Sequence, residues 1–387
     1  MKLVIASEIF PPDIGGPATY VIRVIPELVK AGFEVKVITY ADVKKIVYDD
    51  SLGYLVIKIP RKNIFIKFVC YYLQLYKLAK KADLIFAQGP VASGLPTLLV
   101  KTIQKKKAVM KIVGDVAWER ARNNFNIQEL TDEFQTKKYN LQIEFGRWLE
   151  HFIVKQMDKI ITPSFYLKKI VSQFVTKPEK IQVIYNALEE IDCNLSKAEA
   201  RQKFGYTGKV LFSMARLTPW KGYESLIEVM PKLIEKFGNI KLIIVGDGPM
   251  MEKLKTQITN YKLQDYVELV GSISHQETGK YFKGADLFVL NTGYEGLSHV
   301  LLEALAMKLP AVVSNIGGNP EIIEDGKNGY LFEFDNKQEM VEKISDLLFN
   351  ETKQQEFVEA GTEKLKQFTF DRMLDDSKEL LKSMVKS

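Results

Sequence analysis

At 387 residues, 46% of them hydrophobic, the chain exceeds one ordinary core and can fill two α/β domains. Its net charge of +6 is unevenly held: residues 1–190 carry 29 Lys+Arg against 19 Asp+Glu, and the remainder has 25 against 29. No apolar run reaches the roughly 20 residues of a membrane span, an acid at Glu8 comes too early for a signal-peptide core, and Cys70 and Cys193 form neither a disulfide framework nor a zinc-binding spacing. A cytoplasmic protein is expected.

The first apolar run, Leu3 to Ala6, is followed by a Pro/Gly-rich loop, FPPDIGGPATY, and the helical pattern VIRVIPELVKAG ending at Gly32. That order reads as strand, loop, helix. VKVITY from Val35, then YLVIKI, DLIFAQ and AVMKIV, are further strands separated by helix-length segments. Such alternation implies a parallel sheet wrapped by helices. Between the second and third of these runs, Arg61 to Lys81 interleaves lysines with aromatic and aliphatic residues, as on a membrane-surface helix. A helix docked on its own sheet is the preferred reading, with contact to an anionic membrane surface as the alternative. No nucleic-acid-binding motif accompanies the charge. The polar stretch Trp118 to Arg147 interrupts the rhythm and is expected to cap or line a cleft as helices and loop; KIITPS at Lys159 to Ser164 then restores the pattern.

EEIDCNLSKAEARQ has no strand pattern and marks the crossing between domains, with a helix starting near Ser196. Beyond it, VLFSMA, IKLIIVG, VELVGS, ADLFVLN and PAVVSN give five strands, each followed by a helix-sized segment. The predicted architecture is two doubly wound, Rossmann-like α/β domains facing a central cleft, over residues 1–188 and 189–369. The amphipathic tail 370–387 is expected to return to the first domain.

Strand ends on such sheets present ligands at the carboxyl edge. Gly15 and Gly16 lie there but match neither GxGxxG nor GxxxxGK[ST], so nicotinamide and ATP chemistry are unsupported. Turn geometry is the usual meaning of such a pair. Arg216 and Lys221, in FSMARLTPWKGYESLIEVM, flank a turn at Pro219, where a guanidinium fork and an ammonium suit a diphosphate. Gly246, in VGDGPM, allows close backbone approach beside a nucleotide, and backbone groups around Ile273 could pair with a base edge. His151, His275 and His299 show no metal-ligand spacing. In YEGLSHVLLE, Glu295 and Glu303 stand eight positions apart across a loop entering a helix. Eight helical residues would span roughly 12 Å, too far to share one proton or metal, but suited to gripping two parts of one extended ligand around a helix N-terminus.

ARLTPWKGYESLIEV, VGDGPMMEKL, YEGLSHVLLEALAMKLPAVVS and GGNPEIIEDGKNGYLF, with PPDIGGPATY in the first half, resemble in order and spacing the retaining nucleotide-sugar glycosyltransferases of family four, which have the GT-B fold. The resemblance covers nearly the whole chain. It implies that Glu295 lies beside the donor sugar, that Glu303 holds the ribose hydroxyls, that Arg216 and Lys221 stabilise the leaving diphosphate, and that backbone N–H groups at Leu297 and Ser298 hold the phosphates. Two positions depart from the family pattern: Ser298 replaces a glycine, and Asp115, in KIVGDVAWER, stands where a histidine is common. Serine can keep the backbone contact and add a hydroxyl. Asp115 either accepts a hydroxyl of donor or acceptor or caps the following helix, and the two readings stand level.

The implied activity is hexose transfer from a nucleoside diphosphate sugar, a UDP-sugar or GDP-mannose, to a saccharide or lipid-linked acceptor, with retained configuration. The donor is a substrate, and no metal or other cofactor is expected. Placement is cytoplasmic, with a peripheral position at the inner membrane face as a further expectation from the basic first half. The competing readings are a sugar-nucleotide epimerase of the same shape and a basic membrane-surface binding protein.

Overall fold

The computed structural model describes residues 1–13, 15–61, 63–125 and 127–386. Ile14, Lys62 of the basic stretch, Asn126 and Ser387 lie outside the described residues. The chain forms two units, Met1–Tyr185 with Asp371–Ser387, and Asn186–Phe370.

The first unit holds an eight-stranded sheet of β1 (Lys2–Ser7), β2 (Glu34–Ala41), β3 (Val47–Asp49), β4 (Leu55–Pro60), β5 (Leu84–Gln88), β6 (Lys107–Lys111), β7 (Lys159–Thr162) and β8 (Ile181–Val183). Its order is β3-β4-β2-β1-β5-β6-β7-β8. All pairings are parallel except β3 on β4. Helices cover both faces, which is why the central strands are apolar throughout: all five residues of β5 are buried. The helices are α1 (Gly16–Lys30), α2 (Ile64–Ala79), α3 (Gly94–Gln104), α4 (Val116–Phe125), α5 (Thr131–Thr136), α6 (Leu141–Lys155) and α7 (Phe165–Ser172).

The basic helix α2 is docked on the sheet through Tyr71, Leu75 and Ala79, with the Tyr71 hydroxyl 3.0 Å from the Ser7 carbonyl. Only part of it is buried, since Ile64, Phe65 and Ile66 of its first turn are exposed. The polar stretch from Trp118 to Arg147 is built of helices and loop, as expected. It folds into α4, α5 and the start of α6 around two fully buried rings, Trp118 and Phe134. The buried Arg147 ties the exposed turn before α6 to this core by donating to the carbonyls of Lys137 and Gln135 at 2.9 and 3.0 Å.

The second unit holds β9 (Lys209–Met214), β10 (Ile240–Val245), β11 (Val267–Gly271), β12 (Leu287–Leu290), β13 (Ala311–Ser314) and β14 (Tyr330–Phe332), all parallel. Their order, β11-β10-β9-β12-β13-β14, is doubly wound, with β9 and β12 adjacent where the winding reverses. The sequence reading of five strands missed β14, as it missed β3 and β8 in the first unit. Each has only three residues, too few to show a periodicity.

The boundary falls between Tyr185 and Asn186, three residues earlier than expected, because Leu188 N–H already bonds the Phe368 carbonyl at 2.9 Å within the second unit. Ser196 caps the helix Lys197–Phe204 in a reciprocal capping box with Glu199. The terminal helix Phe370–Lys386 clusters from Asp371 onward with the first unit, where the Ser377 hydroxyl lies 3.3 Å from that of Tyr20 on α1.

Candidate functional site

In the second unit the loops after β9 and β12 leave adjacent strands in opposite directions, so a crevice opens at their carboxyl ends. Three neighbouring loops fix this pair. After β10, Gly246 adopts φ 140, and a Cβ there would lie 2.0 Å from the Ala215 carbonyl, so only glycine lets the two loops cross. Leu217 N–H then bonds the Asp247 carbonyl at 2.9 Å, leaving the Arg216 side chain exposed on a pinned backbone. The 3-10 turn Pro219–Lys221 is tied to the β12 loop by Gly293 N–H to Trp220 carbonyl (2.7 Å) and by Asn291 Nδ2 to Gly222 carbonyl (2.9 Å).

These ties bring Lys221 against Glu295. Their ammonium and carboxylate form an ion pair with side chains only 13% and 14% exposed. The loop after β13 locks Glu295 from behind: Gly318 N–H donates to its carbonyl at 2.9 Å. Gly317, at φ 63, would place a Cβ 2.1 Å from the same oxygen. Glu295 is therefore held by backbone on one side and by a cation on the other.

The helix of this segment starts only at His299 and runs to Ala306, so Glu295 stands in the loop and the expected helical span of about 12 Å does not apply. Leu297 and Ser298 are buried in the same loop. The Ser298 hydroxyl accepts from Leu301 N–H at 3.4 Å as the helix N-cap, a role glycine could not supply. Glu303 lies in the second turn and is 6% exposed. Burial first, and the Glu189 carboxylate second, push its carboxyl up to about 8.

His275 Nε2 lies 3.7 Å from Glu303 and 3.8 Å from Glu189, so ligand-type atoms of all three fall within 4.8 Å of one another. Histidine spacing along the sequence could not reveal this donor set, since its members come from the linker, from the start of helix His275–Gly284 and from helix His299–Ala306. Ile273, half-buried, sits in the loop after β11 just before that histidine. Asn186 also went unseen; its Nδ2 is 3.1 Å from His299 Nε2. The polar pair Asn291-Thr292 directly after an apolar strand was the legible signal for the β12 loop.

In the first unit, Gly15 precedes α1 and Gly16 opens it, at the carboxyl edge of β1. Glu8, at the same edge, accepts from Ala92 N–H (3.0 Å) in the β5 loop, and burial pushes its carboxyl up. Asp115 requires a correction. It is 2% exposed, its Oδ1 accepts from Trp118 N–H (2.8 Å), and its Oδ2 accepts from Gln135 Nε2 (2.6 Å). The capping reading describes it, and a hydroxyl-accepting Asp115 does not fit this geometry. Glu150 shares the task by accepting from Val116 and Ala117 N–H groups at 3.3 and 2.7 Å, and burial raises both carboxyls.

Two doubly wound parallel-sheet units, the second with a cation–carboxylate pair at its switch point, define a GT-B type architecture. The comparisons agree: residues 196–364 match the model for glycosyl transferases group 1, and residues 14–190 match that for glycosyltransferase family 4. The chain belongs to the family 4 type of glycosyltransferases. It is 36% identical over 189 residues to an uncharacterized glycosyltransferase of Methanocaldococcus jannaschii, a match covering 47% of this chain and 48% of that protein. Matches to two further relatives likewise span only 58% and 60% of their lengths. An alpha-monoglucosyldiacylglycerol synthase of Streptococcus pneumoniae is 25% identical over 86% of this chain and 75% of its own. Among solved structures, sucrose-phosphate synthase of Thermosynechococcus elongatus superposes with a TM-score of 0.82 at 18% identity, covering 99% and 98% of the two chains. Anabaena HepE in complex with UDP-glucose gives 0.79 at 19%, covering 99% and 100%. At such identities these superpositions establish the fold.

Proposed function

We propose that this protein is a retaining glycosyltransferase that moves a hexose from a nucleoside diphosphate sugar to an acceptor hydroxyl in glycan, polysaccharide or glycolipid synthesis. The observation that carries this reading is the part-buried Lys221–Glu295 pair at the switch point of the second sheet. A diphosphate in that crevice meets Lys221 as a point charge and Arg216 as a guanidinium fork, both able to neutralise negative charge that grows as the sugar departs. Glu295 accepts from sugar hydroxyls. The leaving phosphate can take the acceptor's proton on the same face, so the protein's work is positioning and charge neutralisation. Backbone N–H groups of Leu297 and Ser298 hold phosphate oxygens, Gly246 lets the backbone approach the donor, the loop at Ile273 borders the base, and Glu303 accepts from the ribose.

A UDP-sugar is the first donor to test, supported by the HepE complex with UDP-glucose, with GDP-mannose as the comparison. A lipid-linked acceptor is supported by the streptococcal relative's name. Thermal shifts across nucleoside diphosphates should single out one base, since a ligand at a hundred times its Kd stabilises by about 2.7 kcal/mol. NMR of the product should show the donor's anomeric configuration. Conversion of donor to an epimer without acceptor would instead make this an epimerase. Transfer is expected to persist in EDTA; its loss, restored by a divalent cation, would reassign Glu189, His275 and Glu303 to a metal site.

Asp115 is expected to act in stability alone. Asp115→Ala should cost about 1–2 kcal/mol in urea unfolding, whereas Asp115→Asn, which keeps a capping oxygen, should cost under about 1 kcal/mol. Transfer by the Asn variant should match wild type; a stable variant without activity would return Asp115 to the chemistry.

A further inference from the structure

We propose that the helical layer formed by α2, α3, α6 and α7 docks on an anionic membrane surface through an aromatic stripe on α6. These four helices connect β4 to β5, β5 to β6, β6 to β7 and β7 to β8, all stepping along the sheet in one direction. Right-handed crossovers put them together on one face, opposite α1. The outer side of such a layer is ordinarily polar. On α6 it is not: Leu141, Phe145, Trp148 and Phe152, spaced as one helical stripe, are 88%, 61%, 57% and 42% exposed. The inner stripe, Ile143, Ile153 and Val154, already supplies the core contact, so the outer one is not needed to hold the fold. The three rings stack along the helix at 5.8 and 5.4 Å between centroids, forming a continuous ridge.

The same layer exposes Ile64, Phe65 and Ile66 at the start of α2 and Ile103 on α3. Around these apolar positions basic residues outnumber acids, although Glu144 lies beside Phe145 and Asp158 and Asp132 pair with Lys101 and Lys169. Residues 61–111, which span α2 and α3, contain eleven Lys+Arg and a single acid, Asp83. Just before α6, exposed Lys138 and the exposed Lys137, which pairs with Glu129 and Glu133, precede the stripe, and Lys155 ends it. Aromatic rings flanked by lysines suit the boundary between headgroups and acyl chains, where the rings sink and the ammonium groups stay at the phosphates. A second copy of the chain is a poorer occupant, because pairing this face with itself would oppose like charges. Among the described residues no helix is long and apolar enough to cross a membrane, so docking would be peripheral.

The inference is independent of the transferase reading, since binding a bilayer requires no donor. The test is sedimentation of the full chain with vesicles of phosphatidylcholine alone or mixed with phosphatidylglycerol. Wild type should partition to the anionic vesicles about tenfold better than to neutral ones, with added salt reducing the difference. Phe145→Gln with Trp148→Gln should lower that partition about tenfold or more while leaving the thermal transition in place, because both side chains are exposed. Should that variant unfold, Ile64→Gln with Phe65→Gln is read in the same way. Equal partition of a folded variant and wild type overturns the proposal. So does wild type that fails to bind anionic vesicles, or a stripe variant that becomes monomeric while still binding them.

Discussion

Replacing Lys221 by alanine is expected to lower kcat/KM for sugar transfer by about 10²–10³, the usual consequence of removing one preorganised charge from a developing anion. The structure adds a cost to the fold. With Lys221 gone, the Glu295 carboxylate, 14% exposed, stands next to no cation from this pair. Buried pairs broken from one side lose about 3–5 kcal/mol. The residual exposure places this one below that range, at about 2–3 kcal/mol. Urea unfolding of Lys221→Ala, Glu295→Ala and the double variant separates the two effects. The double variant should regain part of the lost stability, since neither charge is then left unpaired, while transfer stays at the level of the worse single variant. Arg216 is a useful contrast. Its side chain is exposed and carries no ion pair among the described residues, so Arg216→Ala should leave stability within about 0.5 kcal/mol while lowering transfer. Wild-type rates in all three single variants would remove the proposed site.

Donor affinity should rise with pH between about 6 and 8, and this dependence should reside in Glu303. Burial and the Glu189 charge hold the Glu303 carboxyl up to about 8, so at neutral pH the free protein keeps it largely protonated. Ribose hydroxyls donate best to the ionised form, so binding releases a proton, and affinity can improve by up to about tenfold per pH unit until the free carboxyl ionises by itself. The sign for stability is opposite. The folded-state value exceeds the unfolded one, so Glu303 favours folding fully below the unfolded value and loses that contribution as pH rises through about 8. Glu303→Gln should bind the donor more weakly at pH 8, show a flat affinity from pH 6 to 8, and unfold with less pH dependence than wild type. The facing groups are Glu189 and His275, so Glu189→Gln should move the wild-type affinity curve to lower pH. Calorimetric titration in buffers of different ionisation enthalpy reads the proton directly. An affinity profile in Glu303→Gln that tracks wild type would place the titration elsewhere.

Much of the architecture was legible because parallel strands covered on both faces must be short, continuous and apolar. LVIA, DLIFAQ, VLFSMA and IKLIIVG each fall on an observed strand for that reason. The three-residue strands were not legible, since pairing at a sheet edge requires little side-chain burial and leaves no pattern. The positions of Arg216, Lys221, Glu295 and Glu303 were readable as polar residues at strand ends and in a helix-entry loop. Their partners were not. Glu189 and His275 are separated from Glu303 by 114 and 28 positions, and only packing of the linker and two helices brings them together. Asp115 shows the reverse case: the sequence offered two roles for one carboxylate, and the hydrogen bonds from Trp118 and Gln135 select the cap.

The basic, aromatic-rich region from Arg61 onward was read from sequence as one amphipathic helix, and the fold moved its meaning. α2 spends Tyr71, Leu75 and Ala79 on the core, and the broader exposed ridge lies on α6, in a segment whose polar lead-in had drawn attention away from it. By itself the sequence determined two doubly wound α/β units, because these follow from strand-by-strand hydrophobicity, and it supplied the candidate loops for the proposed chemistry from glycine, proline and charge at strand ends. Tertiary structure decided which of the charges meet. Ion pairing, carboxyl burial and helix-face exposure depend on distances between segments far apart in the chain, and those distances exist only once the sheets are wound and the helices laid across them.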